Sequence, residues 1–209
     1  MVTKIIALVL VVILSPLFLV IALVIYFDTG WPIFFSHWRA CPVYSKYYEG
    51  LSRRFGHFIC LKFRTMTVER QHPLMDPAKG SPWVLHKTDP RITRVGTWLR
   101  AMSLDELPQL LNILLGEMNF IGPRPMLIHQ AEQLVGWQEE RMTVKPGITG
   151  YAQVMGRNAI PWSKRIAYDV WYVQHRTWQL DCWILWRTLV VWWTKEGLYG
   201  ANGVNEDRI

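Results

Sequence analysis

The chain has 209 residues and a formal net charge of +7, and twelve of its residues are tryptophan. This length accommodates one domain with a real core, whereas two full domains would be crowded. The charge favours a polyanionic partner, such as a nucleic acid, an anionic membrane or a phosphorylated small molecule. Because indole rings prefer the interface between water and acyl chains, the tryptophan content favours a membrane surface.

The cysteines and histidines argue against a transition-metal site. Cys41, Cys60 and Cys182 are far apart and form no CxxC pair, and the six histidines include no HExxH motif. Widely spaced cysteines are typical of a reducing compartment and not of a disulfide framework. A bound metal is therefore expected to have oxygen ligands.

The first long segment is apolar, since residues 5–27 contain no charge. A straight helix of that length would run roughly 35 Å, enough to cross a bilayer core. Pro16 lacks the N–H that would bond the carbonyl of residue 12, which predicts a kink whose freed carbonyl accepts from the Ser15 hydroxyl. A spanning helix and a re-entrant helix bent at Pro16 both fit these residues. The apolar run exceeds a signal-peptide core, so we expect the mature protein to keep it.

Most of the remaining chain is expected to be short elements joined by turns. Apolar runs at 33–35 and 58–61 predict strands of a small sheet. Four prolines between residues 67 and 90 indicate an irregular loop, a common place for binding residues. Residues 145–150 form a proline and glycine turn, and we predict an extended segment at 151–154.

Two helices are predicted in the centre of the chain. Residues 94–102 form the first, and apolar residues at helical spacing place a second from about Leu104 to a stop at Gly116. Proline is tolerated only in the first turn of a helix, so Pro108 fixes where the second one begins. The adjacent carboxylates Asp105 and Glu106 therefore lie at a helix N-terminus.

Two interpretations of this carboxylate pair remain open on the residues alone. Ser103 and Glu106 have the spacing of a capping box, which stabilises a helix start. Alternatively, adjacent carboxylates among arginines suit phosphoryl chemistry, because one can attack or bind a metal while the arginines neutralise phosphate. A helix N-terminus would then lower the pKa of the nucleophile and keep it ionised.

A further helix is predicted at residues 178–193, where Asp181 and Arg187 are the only charges among leucine, isoleucine, valine and several tryptophans. An ordinary core helix would explain its apolar face. So many indoles favour a helix that lies in the membrane interface with its rings at headgroup level.

Six short motifs follow one another along the chain. They are Lys62-Phe63-Arg64-Thr65-Met66, Asp89-Pro90-Arg91-Ile92-Thr93, Ser103-Leu104-Asp105-Glu106-Leu107-Pro108-Gln109-Leu110, Gly122-Pro123-Arg124-Pro125, Lys145-Pro146-Gly147-Ile148-Thr149-Gly150 and Gly156-Arg157-Asn158. In this order they resemble the bacterial sugar transferase family, that is, the monotopic phosphoglycosyl transferases of minimal length. The resemblance covers most of the chain from Ser15-Pro16 onward.

The resemblance implies transfer of a sugar-1-phosphate from a UDP-sugar to undecaprenyl phosphate, with release of UMP and initiation of a surface glycan. Asp105 would be the nucleophile and would also bind Mg²⁺, and Glu106 would assist by accepting a proton or by orienting the metal. Basic positions of the family motifs are candidates for phosphate contacts. These residues are Lys62, Arg64, Arg100, Arg124 and Arg157.

The resemblance also implies a membrane arrangement and a fold. Residues 1–30 would form a re-entrant helix broken at Ser15 and Pro16, and residues 31–209 a small domain on the cytoplasmic face of the inner membrane. The expected fold class is α+β, mostly helical, with amphipathic interfacial helices near the C-terminus. Such a protein is monotopic, because its chain enters and leaves one leaflet on the same side.

One stretch departs from the family pattern. The usual Gln-x-Arg-x-Gly pattern is replaced by His37-Trp38-Arg39-Ala40-Cys41-Pro42, so we name no site residue between 36 and 61.

Two other functions compete with the one that the resemblance implies. A catalytically silent membrane scaffold is the main alternative, in which the carboxylates only cap a helix. Nucleic-acid binding is disfavoured, because the basic residues are spread through turns and no nucleic-acid motif is present.

Overall fold

The computed structural model describes residues 1–42, 54–67, 85–86, 89–195, 197 and 204–205. The irregular loop predicted for 67–90 lies almost entirely outside the described residues. Within them the chain is mostly helical with small two-stranded sheets, which confirms the α+β expectation at that level.

The elements follow one another in this order along the chain. The helices are α1 Val2–Thr29, α2 Arg94–Ala101, α3 Gln109–Leu115, α4 Ile128–Glu132, α5 Tyr151–Val154, α6 Trp162–His175 and α7 Trp178–Thr194. The strands are β1 Phe34–Cys41, β2 Gly56–Phe63, β3 Leu85–His86, β4 Asn119–Ile121, β5 Gly147–Thr149 and β6 Val204–Asn205. Three 3-10 segments lie at Leu104–Glu106, Gly136–Thr143 and Arg157–Ala159.

The two predicted strands near the start of the domain are confirmed as the antiparallel pair β1 and β2. Phe35 lies opposite Lys62, and His37 lies opposite Cys60. Because directly paired residues of an antiparallel pair share a face, these four side chains lie on one side of the sheet. Residues 37–41 of the stretch that departs from the family pattern lie in β1.

A parallel pair, β4 and β5, holds the turn at 122–125 against the following segment. The amide of Gly122 donates to the Thr149 carbonyl at 2.9 Å, and the amide of Gly147 donates to the Pro123 carbonyl at 2.9 Å. A Cβ atom on Gly122, Gly147 or Gly150 would collide with the backbone of this cluster. Glycine is required here because two backbones come into direct contact.

The extended segment predicted after this cluster is wrong, because residues 151–154 form the helical turn α5. The strand ends at Thr149, and the amide of Val154 then donates to the Gly150 carbonyl at 3.1 Å. Ala152 and Val154 are both buried in this turn. A four-residue apolar run does not separate a strand from one helical turn, which explains the error.

Helix α1 packs against the domain along both halves of its length. Ala7 in the first half is buried against Phe58 and Cys60 of β2. Ile21 and Ile25 in the second half are buried in a cluster that includes Phe63 at the end of the same strand. The opposite side of α1 is exposed and aliphatic. This helix is long and apolar enough to cross a membrane by length and composition.

Helix α1 continues through Pro16 without a break. Pro16 has no N–H for the Val12 carbonyl, and the Ser15 hydroxyl donates to that oxygen at 2.7 Å, as the sequence predicted. The polar group that proline leaves unpaired is thereby satisfied within the helix. The re-entrant path itself stays a prediction.

The central helices are placed as predicted, but the second is divided. Helix α2 begins after Thr93, whose side chain accepts from the Gly96 amide at 2.8 Å. The 3-10 segment Leu104–Glu106, hereafter the carboxylate turn, is followed by Pro108 and then by α3. Gly116 ends α3 with φ 88°, as expected of a left-handed C-terminal residue.

The capping box predicted for Ser103 and Glu106 does not form. Ser103 adopts the left-handed conformation, φ 54°, and its side chain makes no capping hydrogen bond. Since Pro108 lies between the carboxylate turn and α3, the two carboxylates precede the α-helix and do not occupy its first turn. The side chain of Glu106 has other partners, which define the site.

Helix α7 confirms the predicted helix at the C-terminal end of the domain. Its inward face buries Ile184 and Val191, and Thr188 shares a hydrogen bond of 2.7 Å with Thr149 of β5. Its outward face exposes the indoles of Trp186 and Trp193. Aromatic rings on the outside of an apolar helix are typical of contact with a membrane interface.

Candidate active site

Three segments that are distant in sequence meet at Glu106 of the carboxylate turn. Lys62 at the end of β2 donates from Nζ to the Glu106 Oε1 atom at 2.7 Å. Arg124, from the turn at 122–125, donates from Nη2 to the same oxygen at 2.7 Å. The sequence motifs that contain Lys62, Glu106 and Arg124 therefore belong to one site.

These two cations determine the charge state of Glu106, whose side chain is only 14% exposed. Burial alone would favour the protonated form, but the attraction of Arg124 and Lys62 and their hydrogen bonds outweigh it. The pKa of Glu106 is consequently held well below its ordinary value. Glu106 is a carboxylate whose negative charge is already matched.

Asp105 lies beside this triad in a different environment. It is 8% exposed, and its carboxylate accepts no hydrogen bond from the residues that the structure describes. Burial raises its pKa, the nearby Lys62 opposes the rise, and the adjacent Glu106 reinforces it. The expectation that a helix N-terminus lowers this pKa was wrong, because desolvation dominates and the α-helix begins only after Pro108.

The position of Arg124 depends on a buried ion pair that the sequence did not indicate. Arg141 is 3% exposed, and its Nη2 atom donates to Asp169 of α6 at 2.6 Å and to the Arg124 carbonyl at 3.1 Å. Asp169 is also 3% exposed. Arg141 thus holds the backbone of Arg124, while the side chain of Arg124, which is 52% exposed, contacts Glu106.

Two other predicted arginines lie at the border of the site. Arg100 at the end of α2 donates from Nε to the Thr65 hydroxyl at 2.8 Å, and its charge lowers the pKa of Asp105. Arg157 has a left-handed backbone, φ 48°. Burial and the nearby Arg124 lower the pKa of Arg157, while the two carboxylates oppose that shift. Both arginines are therefore within electrostatic range of Asp105.

Arg64 is not part of this group, although the sequence placed it there. Its guanidinium donates to the Thr29 hydroxyl at 2.6 Å, to the Gly30 carbonyl at 2.5 Å and to the Trp31 carbonyl at 3.2 Å. The residue is 2% exposed. Arg64 satisfies backbone groups at the C-terminal end of α1, so we assign it to the fold and not to phosphate binding.

Strand β1 contributes residues that the sequence analysis left unassigned. Burial lowers the pKa of His37, and the charges of Arg39, His129 and Lys62 act in the same direction. The His37 ring donates from Nδ1 to the Trp38 carbonyl at 2.8 Å. Arg39 donates to the Pro125 carbonyl at 3.3 Å, which ties β1 to the turn that carries Arg124. Strand alternation, applied from Lys62 across the pair, would have indicated this face.

The side chains that could act as metal ligands decide whether Mg²⁺ can bind at this site. In the described part of the chain no three His, Cys, Asp or Glu side chains gather as a metal site. Glu106 is engaged by two cations, which leaves Asp105 as a single carboxylate ligand. Mg²⁺ is commonly held by one or two carboxylates together with substrate phosphates and water. Asp105 therefore fits a metal that arrives with a diphosphate.

Comparison with known proteins shows the family of the chain. Residues 1–195 match the bacterial sugar transferase family. The chain belongs to that family, as the motifs predicted.

Individual relatives support the same assignment. The chain is 43% identical over 151 residues to "Uncharacterized sugar transferase EpsL" of Bacillus subtilis, covering 72% of the chain and 70% of the relative. It is 37% identical over 198 residues to "Exopolysaccharide production protein ExoY" of Sinorhizobium fredii, covering 89% and 81%. It is 38% identical over 160 residues to "Undecaprenyl-phosphate galactose phosphotransferase" of Salmonella typhimurium, covering 73% of the chain and 34% of that longer protein.

Proposed function

We propose that the protein transfers a sugar-1-phosphate from a UDP-sugar to undecaprenyl phosphate through a covalent intermediate on Asp105, and so initiates a surface glycan. The observation that carries this proposal is the contrast between two adjacent carboxylates. Glu106 is neutralised by Lys62 and Arg124, whereas Asp105 is buried beside the same cations with no hydrogen-bond donor among the described residues. A carboxylate that is not held by hydrogen bonds and lies near cations is suited to attack a phosphorus atom.

In the first half of the reaction, an Asp105 oxygen attacks the β-phosphorus of the donor. A bond forms between that oxygen and phosphorus, the bridging bond to the α-phosphate breaks, and UMP leaves with the electron pair. In this proposal Arg124 and Lys62 stabilise charge on the phosphoryl oxygens. Arg100 and Arg157 extend this positive region at its border.

In the second half, an oxygen of the lipid phosphate attacks the phosphorus of the intermediate. The acyl phosphate bond breaks, and the Asp105 carboxylate is regenerated with the sugar-1-phosphate now on the lipid. Two displacements allow one site to serve a soluble donor and a membrane-bound acceptor in turn. The chain therefore needs one nucleophile and not two separate substrate pockets.

Glu106 has a positioning role in this proposal. Its contacts with Arg124 and Lys62 outweigh the effect of burial and keep its pKa low. Glu106 is therefore a poor proton acceptor near neutral pH. Its two ion pairs instead hold Lys62 and Arg124 on either side of one oxygen. This role replaces the proton transfer that we considered from the sequence.

Mg²⁺ is the proposed cofactor, held by Asp105 and the donor diphosphate. When bound, it would neutralise charge on the diphosphate and on departing UMP. The residues around it keep the roles given above.

The two apolar surfaces support a monotopic attachment. The exposed side of α1 is aliphatic, as expected of a segment among acyl chains, and the outward face of α7 is rich in indole, as expected at headgroup level. Both halves of α1 pack on β2, which also carries Lys62. A helix that crossed the bilayer in this arrangement would draw the charged site into the hydrocarbon, so a re-entrant path is favoured.

The names of relatives supply the substrate classes. One is named an undecaprenyl-phosphate galactose phosphotransferase, and another a UDP-glucose:undecaprenyl-phosphate glucose-1-phosphate transferase. By analogy we propose a UDP-sugar donor and an undecaprenyl phosphate acceptor on the cytoplasmic face of the inner membrane.

The test is release of UMP from a panel of UDP-sugars by the purified full-length protein in lipid nanodiscs with Mg²⁺ and undecaprenyl phosphate. We expect UMP and lipid-linked sugar phosphate in equal amounts with at least one donor. Incubation with that donor and no acceptor should give a phosphosugar adduct on the peptide that contains Asp105. Absence of UMP with every donor would favour the alternative, a catalytically silent scaffold.

A further inference from the structure

Helix α7 is hydrogen-bonded to the two-residue link, Met102 and Ser103, that joins α2 to the carboxylate turn. The indole of Trp192, on α7, donates from Nε1 to the Met102 carbonyl at 2.7 Å. Met102 directly follows α2 and lies three positions before Asp105. A hydrogen bond therefore joins α7, whose outward face exposes Trp186 and Trp193, to the two-residue link between α2 and the carboxylate turn.

The hydrogen bond between Trp192 and Met102, hereafter the tether, lies at a point where the backbone changes direction. The amide of Met102 donates to the Trp98 carbonyl at 3.1 Å and ends α2, and Ser103 then adopts a left-handed conformation. Carbonyls at a helix end need partners from outside the helix. Since Ser103 directly precedes the carboxylate turn, the orientation of the Met102 peptide sets the direction in which the chain leaves α2 and enters the turn.

The two faces of α7 have opposite roles at adjacent positions. Trp193 is 81% exposed, whereas Trp192 is turned inward and bonded to Met102. Four residues earlier, Thr188 points to the same inward side and bonds to Thr149 of β5. The inward face thus has one polar contact to the link before the carboxylate turn and another to a different part of the domain.

We infer that Trp192 is a positioning residue, which couples the seating of α7 on the membrane to the placement of Asp105. This inference rests on the proposed function, since it concerns attack by Asp105 on a phosphorus atom. Lys62 and Arg124, which attract the donor, are carried by β2 and by the turn at 122–125, and Arg141 holds the backbone of Arg124. Loss of the tether should therefore lower kcat by more than it raises the donor KM.

The test compares Trp192→Phe, which keeps an aromatic ring and removes the N–H, with Thr188→Val, which removes the other inward polar contact. Activity in nanodiscs is normalised to folded enzyme. For Trp192→Phe we expect kcat to fall about tenfold with the donor KM within about twofold, because small misplacements of a reacting group are costly. For Thr188→Val we expect kcat close to that of the wild type.

A second measurement does not depend on activity. Hydrogen exchange at the amides of Glu106 and Leu107, which bond to the Ser103 and Leu104 carbonyls at 3.4 and 3.2 Å, should be faster in Trp192→Phe and unchanged in Thr188→Val. Unchanged kcat and exchange in Trp192→Phe, or equal losses in both variants, would overturn the inference. Failure of the wild type to release UMP would instead overturn the proposed function.

Discussion

The carboxylate turn and the C-terminal end of α1 each receive a basic side chain from the same short stretch of sequence. Lys62 binds Glu106 of the turn, and Arg64, two residues later, binds Thr29, Gly30 and Trp31 at the helix end. The two residues are equally basic and belong to one motif. One belongs to the candidate site, and the other fastens α1 to the domain.

The difference arises where β2 ends. Lys62 is within the strand, Phe63 is buried, and the chain then leaves the ladder. Strand alternation would place residues 62 and 64 on one face, but it does not apply beyond the last strand residue. A basic residue in a phosphate-binding motif is therefore not by itself a phosphate contact, and its neighbours in space decide its role.

The largest expected effect is loss of transfer on replacing Asp105 by Asn. An amide does not form the acyl phosphate intermediate, so kcat should fall by about 10³-fold or more. The thermal unfolding midpoint should be no lower than that of the wild type, because burial already opposes the charge of Asp105. UMP release and thermal unfolding of the same preparation check both parts. Activity close to that of the wild type would remove Asp105 as the nucleophile.

Lys62→Met should reduce kcat/KM by about 10²-fold, the scale expected for loss of one preorganised charge at a phosphoryl group. Glu106 would keep its ion pair with Arg124, so the fold of the turn should persist. Steady-state kinetics with the preferred UDP-sugar measure the loss. A change of less than about threefold would mean that Lys62 only neutralises Glu106.

Arg64→Met tests the other member of the pair, the basic residue that binds the C-terminal end of α1. The acceptors at the end of α1 would lose their donor, which should cost about 2 kcal/mol and lower the unfolding midpoint by about 5 °C. The kcat/KM of the folded fraction should remain within about twofold of the wild type. If Arg64→Met instead loses activity as Lys62→Met does and unfolds normally, Arg64 belongs to the site.

Ser15→Ala should have the smallest effect. The Val12 carbonyl beside Pro16 would lose the hydroxyl that bonds it at 2.7 Å, at a cost of about 0.5 to 1 kcal/mol. Thermal unfolding in nanodiscs should show a small decrease, and Ser15→Thr, which keeps a hydroxyl, should match the wild type. Equal stability of the alanine variant would show that the carbonyl finds another donor.

Much of the framework followed from local patterns in the sequence. The apolar spacing that gave α2 and α7, the glycine stop of α3 and the hydroxyl beside Pro16 all depend on residues within a few positions of one another. The ordered motifs also predicted that Lys62, Glu106 and Arg124 would meet. Such features follow from helix periodicity and from a recognisable family.

What the sequence did not predict depends on packing between distant segments. The pKa of Asp105 was expected to fall but rises, because burial is a property of the assembled domain. The ion pair of Arg141 and Asp169, which fixes the Arg124 backbone, joins residues 28 positions apart that belong to no shared motif. The capping box failed because Glu106 found stronger partners on two other segments.

The packing of α1 on β2 has a practical consequence for work with this enzyme. Because Ala7, Ile21 and Ile25 complete two of the core clusters, removing the first 29 residues would uncover Phe58, Phe63 and Leu99. It would also leave the Arg64 guanidinium buried without its Thr29 partner. Deleting α1 should therefore yield an aggregating domain and not a soluble catalyst. Solubilisation is better sought by substituting the exposed apolar side of α1, where Val12, Ile13 and Leu19 contribute nothing to the core.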